Sequence, residues 1–142
     1  IGALLVNQRA NVFEPGDHAS TFGGNPFACS AALTVGREIQ KRDLLNKVTS
    51  RGEQLKEGLI KLSEKYSDIF ISTRGVGLIQ GLVIKDNIKI TSLDIVKSAL
   101  NEKLLLVTAG IKVLRIVPPL TITKKEINIL LSRLDKCLMK LT

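Results

Sequence analysis

The residues best suited to chemistry are concentrated in one run, Pro15-Gly16-Asp17-His18-Ala19-Ser20-Thr21-Phe22-Gly23-Gly24-Asn25-Pro26. It places two hydroxyls and two glycines just ahead of a segment with the marks of a helix start. Backbone amides at a helix N-terminus are unpaired, glycine lets an anion approach the chain closely, and serine or threonine adds a hydroxyl donor for a phosphate oxygen. The same residues also make a capped, glycine-rich turn, and spacing alone leaves both readings open. Asp17 suits a turn former better than a general acid. His18 is the only histidine. With no ligands grouped around it, a metal site is not indicated and a hydrogen-bonding loop role is expected.

The second place is Val113-Leu114-Arg115-Ile116-Val117-Pro118-Pro119-Leu120, where one arginine interrupts an apolar run. A guanidinium fixed on a strand can hold a carboxylate through two parallel hydrogen bonds. An ion-paired structural arginine fits the same pattern. A third candidate, Arg74-Gly75-Val76-Gly77-Leu78-Ile79-Gln80-Gly81, has a superficial likeness to a dinucleotide fingerprint. Its glycine spacing is one residue too long and a strand follows it, so that reading is rejected.

The elements that must position these residues can be read from periodicity. Ile1 to Val6 is apolar and suits a strand buried on both faces, or a segment leading into one. Residues 11–26 have loop composition, and Asn25-Pro26 then caps and opens a helix whose apolar body is Phe27, Cys29, Ala31, Ala32, Val35 and Ile39. Val48, Gly52, Leu55, Leu59, Leu62 and Tyr66 recur at helical spacing and predict an amphipathic helix from about Leu44 to Tyr66. Strands are expected over 69–73 and 78–84, paired antiparallel about the Arg74-Gly75-Val76-Gly77 turn, and again over 104–107 and 113–117. Thr91-Ser92-Leu93-Asp94 and Thr123-Lys124-Lys125-Glu126 are capping boxes, each opening a helix. The second of these should turn Ile127, Leu130, Leu131, Leu134 and Leu138 inward. From about Leu44 onward the chain reads as a small α/β layer with helices on one face of a sheet.

A chain of 142 residues with 44% apolar content can bury one ordinary core. It starts at Ile1 in mid-stretch and reads as a piece of something longer. Its 21 basic and 13 acidic residues give a charge of +8. The basic residues are dispersed and aromatics are only 4%, which argues for anionic small molecules and against a nucleic-acid partner. Cys29 and Cys137 lie in apolar helical patterns without metal-site spacing, consistent with a reducing cytoplasm. No apolar run approaches a membrane span.

The string from His18 to Pro26, nine consecutive positions, resembles the His-x-Ser-Thr-Phe/Tyr-Gly-Gly-Asn-Pro segment of class III pyridoxal-phosphate-dependent aminotransferases. Ile1-Gly2-Ala3 is similar to the end of that family's lysine-bearing motif, and the run around Arg115 is similar to its Arg-Phe-x-Pro-Pro-Leu motif, with isoleucine in place of phenylalanine. The resemblance covers essentially the whole chain and is strongest to the acetylornithine branch. It implies the C-terminal end of the large domain, residues 1–43, followed by the small α/β domain, residues 44–142, of a fold-type I transferase. It implies pyridoxal 5'-phosphate as cofactor, amino-acid and 2-oxo-acid substrates, and a cytoplasmic homodimer serving arginine biosynthesis, with no membrane partner. Thr21 then contacts the cofactor phosphate of the neighbouring subunit, Ser20 lies beside the substrate, and Arg115 binds a carboxylate. Arg74 is expected to be structural. The Schiff-base lysine is expected upstream of Ile1, so this stretch alone should have no catalytic residue and no activity. Ornithine, succinylornithine and 4-aminobutyrate enzymes, or a non-catalytic truncated module, remain open as alternatives.

Overall fold

The computed structural model describes residues 1–141. They divide into two compact units, Ile1–Asp43 and a second beginning at Leu44, each of which is described by itself.

In the first unit the expected strand over residues 1–6 does not form. The segment is irregular, and Leu4 and Leu5 are 74% and 91% exposed. A lone extended segment leaves its N–H and C=O groups without a ladder, and this unit contains no other described strand to pair with it. A short 3-10 turn follows at Gln8–Ala10, capped by the Asn7 side chain. Helix α1 spans Pro26–Lys41. Its start is as the sequence dictates, with the Asn25 side chain accepting from the Ala28 amide at 2.9 Å and proline in the first turn, where its missing N–H costs nothing. Its apolar body is not a core, because none of its residues is buried and Phe27 is 86% exposed.

The second unit has a core. Helix α2 (Leu44–Lys65) buries Leu44, Gly52, Leu55, Leu59 and Leu62 along one stripe. Leucines 55 and 59 are fully buried, each contributing about 1.5–3 kcal/mol of apolar transfer. Strands β1 (Phe70–Val76) and β2 (Ile79–Ile84) form the expected antiparallel hairpin. Its tight turn is Gly77-Leu78, where Gly77 takes a φ of +55° that L side chains rarely adopt. Helix α3 (Ser92–Asn101) and helix α4 (Lys124–Met139) each begin at a complete capping box, built by Thr91 with Asp94 and by Thr123 with Glu126.

Strand β3 is only Val107–Thr108, and β4 is Val113–Ile116. Leu104 and Leu106 are buried ahead of β3, so their side chains reach the core although their backbone lies outside the ladder. The sheet order is β1-β2-β4-β3, antiparallel throughout. Helix α2 packs on β1 and β2, helix α3 on β3 and β4, and α4 covers both helices. Leu82, Ile84, Leu114 and Ile116 face these helices and are buried, whereas the alternating set containing Arg115 is on the open face. Ile127, Leu130, Leu134 and Leu138 of α4 turn inward as expected; Leu131 is only partly buried and Cys137 joins the core. Burial pushes the Cys137 thiol above its ordinary pKa, which keeps it in the unreactive protonated form. No helix is long and apolar enough to cross a membrane among the described residues.

Candidate functional site

In the glycine loop of the first unit each feature has a local cause. Asp17 accepts from the Glu14 amide at 2.8 Å while its own amide donates to the Glu14 carbonyl, so it closes a turn as expected. The Ser20 hydroxyl accepts from the Gly23 amide at 3.0 Å. A Cβ on Gly23 would sit 2.9 Å from that hydroxyl oxygen, so only glycine allows the loop to fold this tightly. Gly24 has a φ of +72° with nothing within 4 Å of where its Cβ would be, leaving a bare stretch of backbone before α1. The Asn25 amide nitrogen donates to the Phe22 carbonyl at 2.5 Å. Capping the helix and closing the loop therefore fall to one side chain.

His18, Ser20, Phe22, Gly23 and Gly24 line a recess of about 780 Å³ with residues of the N-terminal segment. Thr21 is exposed and not part of that lining. Neither Thr21 nor His18 makes a side-chain hydrogen bond among the described residues. The Ser20 hydroxyl proton and the Thr21 hydroxyl are thus available to an external acceptor. Two hydroxyls, a bare glycine and a helix N-terminus fit a phosphate approached from one side.

The second unit holds Arg115. It lies on β4 with buried neighbours at Leu114 and Ile116, yet is itself exposed on the open face. Its guanidinium has no hydrogen-bond or ion-pair partner among the described residues, which removes the structural ion-pair reading within this unit. It borders a recess of about 280 Å³ with Arg74, Gly81, Ala109 and Val113.

Arg74 departs from expectation. It stands in β1, not in the turn, is exposed, and also lacks a side-chain partner among the described residues. The two-residue turn at Gly77-Leu78 is the signal that could have placed it opposite Gly81. The pairing of β2 with β4, which completes the row to Arg115, leaves no such mark in the sequence.

The model of the class-III aminotransferase family matches residues 2–138. The chain belongs to that family. This aminotransferase chain is 57% identical, over 99% of its length, to the acetylornithine aminotransferase of Prochlorococcus marinus, and covers 34% of that relative. It spans about a third of the length of the curated relatives it matches. The acetylornithine aminotransferase of Elizabethkingia anophelis superposes with a TM-score of 0.81 at 28% identity, over 90% of this chain and 33% of that one. The ornithine aminotransferase of Toxoplasma gondii gives 0.80 at 28% identity, over 91% of this chain and 30% of that one. The fold of this family member is thus the α/β fold of pyridoxal-phosphate-dependent aminotransferases, and the fold does not distinguish between the two donors.

Proposed function

We propose that this chain is the C-terminal third of a pyridoxal-phosphate-dependent acetylornithine aminotransferase. It would transfer the amino group of N-acetylornithine to 2-oxoglutarate as a cytoplasmic homodimer in arginine biosynthesis. The single observation that carries the donor is the high identity, across almost the entire chain, to a relative named for that donor. Residues 1–43 are assigned to the end of the large cofactor-binding domain and residues 44–142 to the small domain.

In this reading Thr21 donates its hydroxyl to the cofactor phosphate of the neighbouring subunit. The absence of any competing partner on that side chain supports the role. Ser20 lies beside the substrate: its oxygen accepts from Gly23, which fixes the rotamer and leaves the proton to donate outward. Arg115 orients the substrate by its carboxylate: strand β4 sets the face from which its side chain leaves the sheet, and a two-point contact with the carboxylate then positions the reacting carbon. The bound cofactor supplies an electrophilic carbonyl that takes up the amino group and a ring that stabilises negative charge. The lysine that anchors it is assigned to another segment of the enzyme.

The test is amino transfer by the enzyme carrying this sequence, with N-acetylornithine, ornithine, succinylornithine and 4-aminobutyrate offered separately against 2-oxoglutarate. The expected result is the highest kcat/KM with N-acetylornithine. Preference for another donor would replace the assignment, and absence of transfer with all four would remove it. Arg115→Ala should raise KM for carboxylate substrates while the cofactor absorbance stays. Thr21→Ala should instead release pyridoxal phosphate more readily on dialysis.

A further inference from the structure

We propose that Lys112 is a positioning residue for Arg115: its ammonium closes a ring of hydrogen bonds behind the β3–β4 turn, and that ring fixes the strand from which the guanidinium leaves the sheet. The proposal rests on the reading of Arg115 as a carboxylate binder.

Strand β4 is a weak platform by itself. It has four residues, and β3 pairs with only two of them, Leu114 and Arg115. The start of the strand therefore has a full partner on the β2 side alone. One further link closes the turn, the Ala109 amide donating to the Val113 carbonyl at 2.8 Å. Ala109 and Val113 line the same recess as Arg115. A shift of the turn would thus move the wall of the recess and the base of the arginine together.

The ring holds that turn from behind. The Lys112 carbonyl accepts from the Ile84 amide at 2.7 Å, at the end of β2. From Ile84 the chain enters loop 85–91, and the Lys112 ammonium folds back over it to donate to the carbonyls of Lys85, Ile88 and Ile90. The loop delivers Ser92, whose amide donates to the Ile111 carbonyl at 2.8 Å and whose hydroxyl donates to the Gly110 carbonyl at 2.7 Å. The loop that Lys112 gathers therefore ends on the two residues that precede Lys112. Its far side is anchored, because Ser92 is buried and Ile88 and Ile90 pack against the core.

Among the described residues no carboxylate pairs with Lys112. All three ammonium donors are directed to the loop, and hydrogen bonds from a charged donor are stronger than neutral ones. Without them three carbonyls turn to water, and Ser92 and the turn it holds loosen with the loop. Arg115 is three residues further along the same short strand. A two-point contact with a carboxylate demands orientation, and a misplacement of about 1 Å is enough to weaken it severely.

The test is a double-mutant cycle in the enzyme carrying this sequence, with Lys112→Met and Arg115→Gln read in KM for 2-oxoglutarate. Cofactor absorbance, kcat and Tm are measured on each protein. Lys112→Met should raise KM roughly threefold or more, the low end of couplings within one network, with cofactor absorbance unchanged. Lys112→Arg restores N–H donors and should recover part of the loss. In the Arg115→Gln background Lys112→Met should raise KM no further, since the side chain it positions is gone. An equal rise in both backgrounds would overturn the proposal and leave Arg115 as the carboxylate binder. So would an unchanged KM in Lys112→Met beside a raised KM in Arg115→Gln. If Arg115→Gln itself leaves KM unchanged, the reading of Arg115 falls and the proposal with it. Should Lys112→Met fail to hold the cofactor, Ser92→Ala opens the ring at its other side and takes its place in the same cycle, with the same outcomes deciding.

Discussion

Gly52 of α2 lies against the backbone of Gly77 in the β1–β2 turn, so closely that a Cβ on Gly52 would come 2.6 Å from the Gly77 carbonyl oxygen. Helix and hairpin meet there backbone to backbone. Gly52→Ala adds helix propensity worth up to about 1 kcal/mol, but pushes the turn off the helix, and overpacking costs about 1–3 kcal/mol. The obstacle is backbone and cannot rotate aside, so the clash should win. Urea denaturation should show Gly52→Ala less stable than the parent. At Gly58 the atoms in the way belong to the Leu131 side chain, which can move, so Gly58→Ala should be the milder of the two changes.

Lys112 is a structural clamp. Its ammonium donates to the carbonyls of Lys85, Ile88 and Ile90 at 3.0, 2.7 and 3.3 Å, gathering the loop that links β2 to α3. Three carbonyls at one ammonium satisfy its three donors. Lys112→Met keeps the stem and removes those donors, and should cost about 1.5–3 kcal/mol, the worth of hydrogen bonds to a charged group. Hydrogen exchange should quicken first in residues 85–91. Uniform acceleration across the unit would refute a local clamp.

What was legible in the sequence was local. Thr91 with Asp94 and Thr123 with Glu126 name their helices because a capping box lies within four consecutive residues. The stripe from Gly52 to Leu62 marks its own buried face. Residues 1–6 have the pattern of a buried strand and α1 has an apolar body, but apolarity does not supply a surface to pack against, and neither is buried in its unit. The same limit hid Arg74. Its row with Gly81 and Arg115 depends on pairing between strands more than thirty positions apart, whereas Thr21 and Ser20 lie in a contiguous motif and could be named at once.

The acid limb of stability should pass through Asp135. Its Oδ1 accepts from the Lys65 ammonium at 2.6 Å and from the Tyr66 hydroxyl at 2.7 Å. The hydrogen bond from Lys65, helped by that from Tyr66 and opposed by partial burial, holds the carboxyl below its ordinary pKa. A lowered folded pKa means the contribution is full above the ordinary value of about 4 and is lost as pH falls through it toward the folded one. Asp94 and Glu126, lowered by their capping threonines, act with the same sign. The difference in Tm between the parent and Asp135→Asn should therefore narrow as pH drops from about 6 to about 3. A difference that stays constant over that range would show that Asp135 acts by packing alone.

Ser20 allows a structural role to be separated from a functional one, because its only hydrogen bond among the described residues is the one accepted from the Gly23 amide. That bond is on an exposed loop, so in Ser20→Ala water can satisfy the freed amide, and stability should change by no more than about 0.5 kcal/mol. If the hydroxyl serves only the turn, the variant enzyme should keep the kinetics of the parent. If it donates its proton to the substrate, KM for the amino donor should rise at unchanged thermal stability, and Ser20→Thr, which restores the hydroxyl, should recover part of the loss. Steady-state kinetics and calorimetry on the same three proteins distinguish these outcomes, and a fall in stability large enough to account for the kinetic loss would assign Ser20 to the turn.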